Sequence, residues 1–157
     1  MARRKRLAQL PLEPPILTVL IGMPASGKST YAAAHFPPSA IISIDACWER
    51  TYTSTGGEHL FWTLLETQLS RNTDTTTDRT SLDASTRTRL VYRGHQNGYA
   101  VHAVLLDTPY SVAVYRDSLR ETPFVAAVLR RCYEKVTETR GRLLDEGFDR
   151  VTIITGS

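Results

Sequence analysis

The sequence has few of the residues that build disulfide frameworks and metal clusters. Its only cysteines, Cys47 and Cys132, are far apart, and no CxxC pair or Cys/His group at zinc-site spacing occurs. The four histidines are scattered, and none belongs to a motif that assigns it a chemical role. These scarcities argue against a disulfide scaffold, a zinc protein and histidine-based catalysis. We interpret both cysteines as reduced thiols of the core.

Long apolar runs are also missing. No segment reaches about 18 consecutive apolar residues, so the sequence predicts no transmembrane helix. The basic start, MARRKR, is typical of the first part of a signal peptide, but Pro11, Pro14 and Pro15 interrupt the apolar region that would have to follow. We therefore expect a cytoplasmic protein without a membrane partner.

The charge distribution separates a short arm from the rest of the chain. Residues 3–6 are all basic and account for the formal net charge of +3 at pH 7, because the remainder of the chain is close to neutral. We expect residues 1–15 to form a basic N-terminal arm and residues 16–157 to form one domain. The arm either binds nucleic-acid phosphates or is simply solvated, and the sequence leaves both interpretations open.

Apolar runs and helical patterns alternate after the arm. Short runs rich in β-branched residues predict buried strands at residues 16–21, 40–44, 99–107 and 150–155, with a weaker candidate at residues 79–83. Apolar spacing, with proline and glycine stops, predicts helices over residues 28–36, 58–69, 86–97, 109–121 and 123–146. The alternation predicts an α/β domain with a mostly parallel sheet and right-handed crossovers.

Three carboxylates lie at, or just past, the carboxyl ends of predicted strands. They are Asp45, Asp83 and Asp107. Open parallel sheets bind their ligands at this edge, because the loops that follow the strands meet there. The placement makes these residues candidates for a functional site.

The stretch GMPASGKS matches the phosphate-loop pattern GxxxxGK[ST]. It follows a predicted buried strand and opens a predicted helix, which is the context that the pattern requires. Its glycines permit close approach of the backbone, and successive N–H groups form an anion cradle with the helix N-terminus. Lys28 is expected to reach the β- and γ-phosphates, and the Ser29 hydroxyl to bind Mg²⁺ or Mn²⁺. The predicted triphosphate site comprises Gly22, Ala25, Ser26, Gly27, Lys28, Ser29 and Thr30.

Triphosphate binding is compatible with a switch or motor NTPase, a small-molecule kinase or a kinase for nucleic-acid ends. The chain is short for motor machinery, and no NKxD-like guanine motif occurs. A kinase needs a base and cations beside the γ-phosphate. Asp45, at the end of the second predicted strand, is the candidate base, and capping of the next helix is its alternative role.

Two arginines are candidates for the cations. Arg116 and Arg120 are four residues apart, so they share one face of the predicted helix. That face is either a lid over the phosphates, with Arg120 contacting the triphosphate, or a solvated surface shared with Asp117 and Glu121.

An ordered set of motifs extends the phosphate loop. GMPASGKST is followed by ISID, LDAST, LLDTPYSVAVYRDSLR and DEGFDRV, over about residues 16–155. In this order the chain resembles the P-loop 5′-hydroxyl polynucleotide kinase family of phage and bacterial RNA repair. The resemblance implies a P-loop kinase fold: a five-stranded parallel sheet in the order 2-3-1-4-5, helices on both faces and a helical lid.

The resemblance also implies roles for individual residues. Asp45 matches the general base that contacts the 5′-hydroxyl, and Arg116 matches the arginine that stabilises the transferring phosphoryl group, with Arg120 as a second lid contact. Asp83 matches an acidic position near the active site, and Arg89 follows it at the family's spacing. The implied catalytic set is therefore Lys28, Asp45 and Arg116.

One departure from the family affects the acceptor. Members often carry an arginine three residues after the catalytic aspartate, which holds the terminal phosphate of the acceptor. Here that position is Trp48, and the nearest arginine is Arg50. Trp48 either stacks on a terminal base or belongs to the core or lid. The predicted acceptor-binding set is Asp45, Trp48, Arg50, Asp83 and Arg89.

The leading hypothesis is an NTP-dependent polynucleotide 5′-hydroxyl kinase that acts on RNA or DNA with ATP or GTP. The alternative is a related kinase for a hydroxyl on a modified DNA base or a small metabolite, and a third is a non-catalytic nucleotide-binding module. A small closed pocket would favour a metabolite, and an open basic groove would favour a strand. The sequence leaves the acceptor, the donor base and the oligomeric state open.

Overall fold

Five strands and six α-helices lie in the part of the chain that the computed structural model describes, residues 13–156. The strands are β1 (Ile16–Ile21), β2 (Ile41–Ser43), β3 (Thr75–Asp78), β4 (Ala100–Leu106) and β5 (Arg150–Ile154). The helices are α1 (Lys28–His35), α2 (Ile44–Thr51), α3 (Ser54–Ser70), α4 (Ala84–Gln96), α5 (Tyr110–Ser118) and α6 (Ala126–Arg142). Residues 1–12 of the predicted basic arm lie outside the described residues.

The strands form one parallel sheet in the order β2-β3-β1-β4-β5, which confirms the predicted topology. β1 is central and pairs with both β3 and β4. It is buried on both faces, because Leu17, Val19 and Ile21 point to one side and Leu20 to the other. A strand covered on both faces reads as a continuous apolar run, which is why the sequence located β1 correctly.

Helices cover both faces of the sheet, as predicted. On one face, Phe61 of α3, Leu90 of α4 and Val136 of α6 pack with alternate residues of β1 and β4 in the larger core. On the other face, Ala32 of α1 packs with Leu20 and residues of β4 in a smaller core. Among the helices of residues 13–156, none combines the length and apolar character needed to cross a membrane.

The third strand is a correction to the sequence analysis. It was predicted at residues 79–83, but the strand is Thr75–Asp78, and all four residues are buried. Three consecutive threonines do not form an apolar run, yet their β-branched side chains suit a strand. The shift places Asp78, rather than Asp83, at the carboxyl end of β3.

Two boundaries near the site also differ from prediction. β2 ends at Ser43, so Asp45 lies in the first turn of α2, a helix for which the sequence analysis gave no range. The Ser43 hydroxyl caps this helix by accepting a hydrogen bond from Ala46 N at 3.3 Å. α3 continues through the Gly56-Gly57 pair that was interpreted as a break. Gly57 is required there because a Cβ would lie 2.0 Å from Cδ1 of Trp48.

A buried arginine ties the elements behind β3 together. The Arg87 side chain of α4 forms a bidentate pair with Glu146, with N···O distances of 2.6 and 2.9 Å. Its Nη1 also donates to the Ser81 carbonyl at 3.0 Å and to Thr139 Oγ1 at 3.2 Å. One guanidinium therefore joins α4, the loop after β3, α6 and the turn that follows α6.

We expect Arg87→Ala to lower the free energy of unfolding by about 3–5 kcal/mol, because it leaves the largely buried Glu146 carboxylate without its cation. The matched control is Arg93→Ala, which removes a similar bidentate pair with Glu66 whose side chains are 34% and 39% exposed. That change should cost much less, because water screens an exposed ion pair and competes for its hydrogen bonds. Urea unfolding of the two variants measures the difference. Equal losses would contradict the structural role of Arg87.

Candidate active site

The phosphate loop connects β1 to α1 and closes around its lysine. Lys28 Nζ donates to the Met23 carbonyl at 2.9 Å, and the side chain is buried. Gly27 has φ +98°, a conformation that strongly favours glycine. A Cβ on Gly22 would lie 2.6 Å from Ser26 Oγ. The backbone conformation thus favours glycine at position 27, and the close approach of the Ser26 side chain favours it at position 22.

Burial lowers the pKa of Lys28 to about 8, against the opposing effect of the Asp78 and Asp45 carboxylates. A bound polyphosphate favours the charged ammonium and raises this pKa. Below pH 8 the lysine is already protonated, so binding takes up no proton. Above pH 8 binding must protonate it, and affinity falls with pH.

We therefore expect the Kd for a nucleoside triphosphate to be nearly flat between pH 7 and 8 and to rise by up to about tenfold per pH unit above pH 8. Calorimetry in buffers of different ionisation enthalpy should show uptake of about one proton at pH 9. Lys28→Met should bind weakly at every pH and lose this uptake. A Kd that stays constant between pH 7 and 9.5 would contradict the assignment.

A carboxylate missed by the sequence analysis stands beside the loop. Ser29 Oγ donates to Asp78 Oδ2 at 2.7 Å, and Asp78 is 8% exposed at the carboxyl end of β3. A hydroxyl and a carboxylate are hard oxygen donors of the kind that Mg²⁺ binds, with substrate phosphates completing its coordination. Within residues 13–156 no cluster of three or more His, Cys, Asp or Glu would hold a metal by itself. The residues present therefore fit a magnesium ion that enters with a triphosphate.

Residues of the phosphate loop line two cavities. The first, which we call the Asp45 cavity, has a volume of about 510 Å³. It is lined by Pro24, Ala25, Lys28, Ser29, Ile44, Asp45, Trp48, Asp78, Arg79, Thr80, Arg120, Phe124, Val128 and Cys132. The structure thus brings together six residues of the predicted site: Ala25, Lys28, Ser29, Asp45, Trp48 and Arg120.

The second cavity, which we call the Arg116 cavity, has a volume of about 710 Å³. It is lined by residues 25–27 of the phosphate loop, by residues of α1, by residues at the ends of β4 and β5, and by Arg116. Arg116 reaches over the loop, with Nη1 3.7 Å from the position that a Cβ on Gly27 would occupy. Thr108 Oγ1 donates to the Ser26 carbonyl at 2.8 Å and ties this wall to the loop.

Arg116 and Arg120 line different cavities, which corrects the expectation of a shared helix face. α5 ends at Ser118 rather than at residue 121, so Arg120 lies in the connection to α6. Asp117 is 1% exposed, and its carboxylate accepts from Phe124 N at 2.9 Å and from Arg120 Nη1 at 3.4 Å. Asp117 is therefore not part of a solvated face. It holds Arg120 and Phe124 at the Asp45 cavity.

Three predicted acceptor residues do not line the Asp45 cavity within the described part of the chain. Asp83 lies at the N-cap position of α4 without capping it, and its carboxylate instead accepts from Lys135 Nζ at 2.8 Å, a hydrogen bond that lowers its pKa. The Arg89 guanidinium stacks on the Trp62 ring, 3.8 Å from its centroid. Arg50 is exposed in the last turn of α2.

Asp107, the third strand-end carboxylate, pairs with Arg140 at 2.5 Å. The residues that sequence reasoning missed are Asp78, Arg79, Asp117 and Phe124. Only Asp78 had a usable signal, since it directly follows the threonine run that forms β3.

The sequence matches one family model, described as an AAA domain, over residues 17–139. No curated protein matches the chain. Among solved structures, a chain of the Pnkp1/Rnl/Hen1 RNA repair complex is similar with a TM-score of 0.70 and 17% identity, over 86% of this chain and 48% of that one. This chain thus spans about half the length of that relative.

Two small-molecule kinases are also similar. The gluconokinase from Sinorhizobium meliloti 1021 has a TM-score of 0.58 and 18% identity, over 92% of this chain and 84% of that one. The shikimate kinase from Acinetobacter baumannii, solved in complex with shikimate, has a TM-score of 0.53 and 16% identity, over 92% and 86%. At these identities the likeness shows the fold, which is that of P-loop kinases.

Proposed function

Because the chain belongs to the AAA domain family and has a P-loop kinase fold, we propose that it transfers the γ-phosphate of a nucleoside triphosphate to the 5′-hydroxyl end of a polynucleotide. The observation that carries the proposal is the composition of the Asp45 cavity. A carboxylate and an exposed tryptophan share this cavity with the lysine of the phosphate loop. An acceptor hydroxyl, its base and the donor phosphate thus have residues suited to them in one space.

The donor is assigned to the Arg116 cavity and the phosphate loop. The loop's backbone N–H groups and Lys28 bind the β- and γ-phosphates, and the larger cavity leaves room for the nucleoside. Ser29 and Asp78 would hold Mg²⁺, which neutralises charge on the β- and γ-phosphate oxygens when it is bound. Either ATP or GTP fits this assignment, since no guanine motif occurs.

The acceptor hydroxyl attacks the γ-phosphorus from the side of Asp45. A new bond forms between that oxygen and phosphorus, the bond to the β–γ bridging oxygen breaks, and the nucleoside diphosphate leaves. The hydroxyl proton passes to the Asp45 carboxylate, which is exposed at the cavity. Arg116, above the loop, donates to the equatorial oxygens, where charge is spread in the transition state.

The walls of the Asp45 cavity favour an aromatic acceptor. Much of its surface is apolar, because it is lined by Ile44, Trp48, Phe124 and Val128, and residues Trp48 and Phe124 are 39% and 42% exposed. A flat nucleobase can stack on such rings. A polyol acid would need polar partners instead, because its hydroxyls lose their hydrogen bonds to water on entry.

The size of the same cavity supports the second candidate function. A volume of about 510 Å³ lies within the range of small-molecule pockets. An aromatic small molecule with a hydroxyl group, or a hydroxymethylated base, would fill the space without a strand attached. This candidate shares the donor site and the base, and it differs only in the acceptor.

The test is transfer of labelled γ-phosphate from ATP or GTP to a panel of acceptors. The panel holds 5′-hydroxyl single strands of DNA and RNA, the same strands already 5′-phosphorylated, a strand with hydroxymethylated bases, and gluconate and shikimate. We expect label on the 5′-hydroxyl strands, none on their blocked counterparts, and none with Lys28→Met. Label only on a modified base or a small molecule supports the second candidate. Triphosphate binding without transfer to any acceptor would contradict both candidates and would indicate a non-catalytic nucleotide-binding module.

A further inference from the structure

Arg79 lines the Asp45 cavity, although sequence reasoning assigned it no role. It directly follows Asp78, and its side chain is 13% exposed. Its Nη1 and Nη2 donate to the two carboxylate oxygens of Glu58 at 3.0 and 2.6 Å. Its Cζ lies 4.7 Å from the centroid of the Phe61 ring. A fork on one edge and a ring against one face fix the plane of this guanidinium.

The ion pair with Glu58 leaves some N–H groups of Arg79 without an acceptor in the described part of the chain. A guanidinium carries five N–H groups, and the pair with Glu58 uses two of them. Within residues 13–156 its Nε–H donates to no protein acceptor. By contrast, Arg87, the buried arginine of α4, uses Nε, Nη1 and Nη2 on protein partners and lies outside this cavity. Arg79 is therefore oriented by the protein yet retains hydrogen-bonding capacity at a cavity wall.

The chemistry of this group favours a phosphodiester. A planar, always charged fork matches the geometry of phosphate oxygens. Glu58 offsets part of the positive charge, so the position suits a singly charged diester better than a doubly charged phosphomonoester. The cavity's other arginine, Arg120, is engaged with the buried carboxylate of Asp117 and lies against the Phe124 ring.

We propose that Arg79 binds the phosphodiester that follows the terminal nucleoside of the acceptor strand, with Glu58 and Phe61 as its positioning residues. The inference rests on the proposed function and names the acceptor feature that this site recognises. Binding of the acceptor phosphate is thereby assigned to a residue directly after β3. The family resemblance would place an arginine three residues after Asp45, but Trp48 occupies that position. The enzyme should then prefer acceptor strands in which the linkage after the 5′-terminal nucleoside is negatively charged.

The experiment compares three 5′-hydroxyl oligonucleotides of one sequence. One has only phosphodiester linkages, one carries a neutral methylphosphonate at the first linkage, and one carries it at the third. For the wild-type protein we expect the first-linkage change to lower kcat/KM by about 10- to 100-fold, chiefly through KM. The third-linkage change should have little effect. This comparison needs no variant, so it does not depend on a variant's stability.

Variants then assign the preference to one residue. Arg79→Met should lower kcat/KM on the phosphodiester strand to the level of the first-linkage analogue and abolish the preference. Arg79→Lys should restore only part of it, because a point charge does not reproduce the fork. The matched control is Arg93→Met, which removes a similar bidentate arginine, one that does not line the Asp45 cavity, and should keep the preference.

Equal wild-type activity on the phosphodiester strand and the first-linkage analogue overturns the inference while leaving the kinase assignment intact. A full preference in folded Arg79→Met overturns it as well. Transfer to a small molecule, with none to any strand, overturns the proposed function itself and the inference with it. The panel in the preceding section separates this outcome from the others.

Discussion

Replacing Arg116 with alanine is expected to slow phosphate transfer by about 10³- to 10⁵-fold. The arginine lies over the phosphate loop, with Nη1 3.7 Å from the Cβ position of Gly27. In the transition state the charge is spread over three equatorial oxygens, and a planar guanidinium can bond two of them at once. Arg116→Lys should restore little, because its ammonium is a point charge.

Single-turnover transfer to a 5′-hydroxyl oligonucleotide measures this effect, with circular dichroism as the check on folding. Arg142→Ala is the matched control, since Arg142 is an exposed arginine of α6 outside both cavities lined by the phosphate loop. It should retain wild-type rates. A folded Arg116→Ala protein with near wild-type turnover would show that the arginine contributes nothing to transfer, and the assignment of the donor to the Arg116 cavity would lose its main support.

Asp45→Asn is expected to slow transfer by about 10²- to 10⁴-fold while leaving triphosphate affinity nearly unchanged. Asparagine keeps the size of the side chain and its place in the first turn of α2, but it cannot accept the hydroxyl proton. The cap of this helix does not depend on the carboxylate, because the Ser43 hydroxyl provides it. Loss of activity would therefore reflect chemistry rather than a weakened helix.

Glu49→Gln is the control for this substitution. Glu49 lies one turn further along α2, is exposed and does not line the Asp45 cavity. The two variants should have similar unfolding curves and triphosphate affinities, and only Asp45→Asn should lose transfer. Near-normal turnover in Asp45→Asn would identify Asp45 as a solvated helix residue, and the base would have to be sought elsewhere in the cavity.

The sequence determined the phosphate loop and most of the fold. The spacing of Gly22, Gly27, Lys28 and Ser29 is a local pattern, since the residues that shape the loop are adjacent in the chain. The strands β1 and β4 could be predicted from the sequence, because a strand buried on both faces is a continuous apolar run. The alternation of strands and helices then restricted the topology to a parallel sheet.

Tertiary structure decided which polar residues meet at that loop. The sequence analysis missed Asp78 because the threonines of β3 do not form an apolar run, and their burial comes from neighbouring strands and helices. The predicted strand at residues 79–83 and the family resemblance suggested Asp83, which instead pairs with Lys135 of α6. Whether the carboxylate at a strand end lies beside the phosphate loop depends on how the strands pair in the sheet, and that pairing involves residues far apart in the chain.

The arginines show the same division most clearly. The four-residue spacing predicted that Arg116 and Arg120 share one helix face. However, α5 ends at Ser118, and the buried Asp117 carboxylate accepts a hydrogen bond from Phe124 N in the segment that follows. The two side chains consequently reach different cavities. Arg79 owes its orientation to Glu58, 21 residues away in sequence. Helical periodicity extends only as far as the helix, and a buried charge is paired by whichever group the completed fold brings to it.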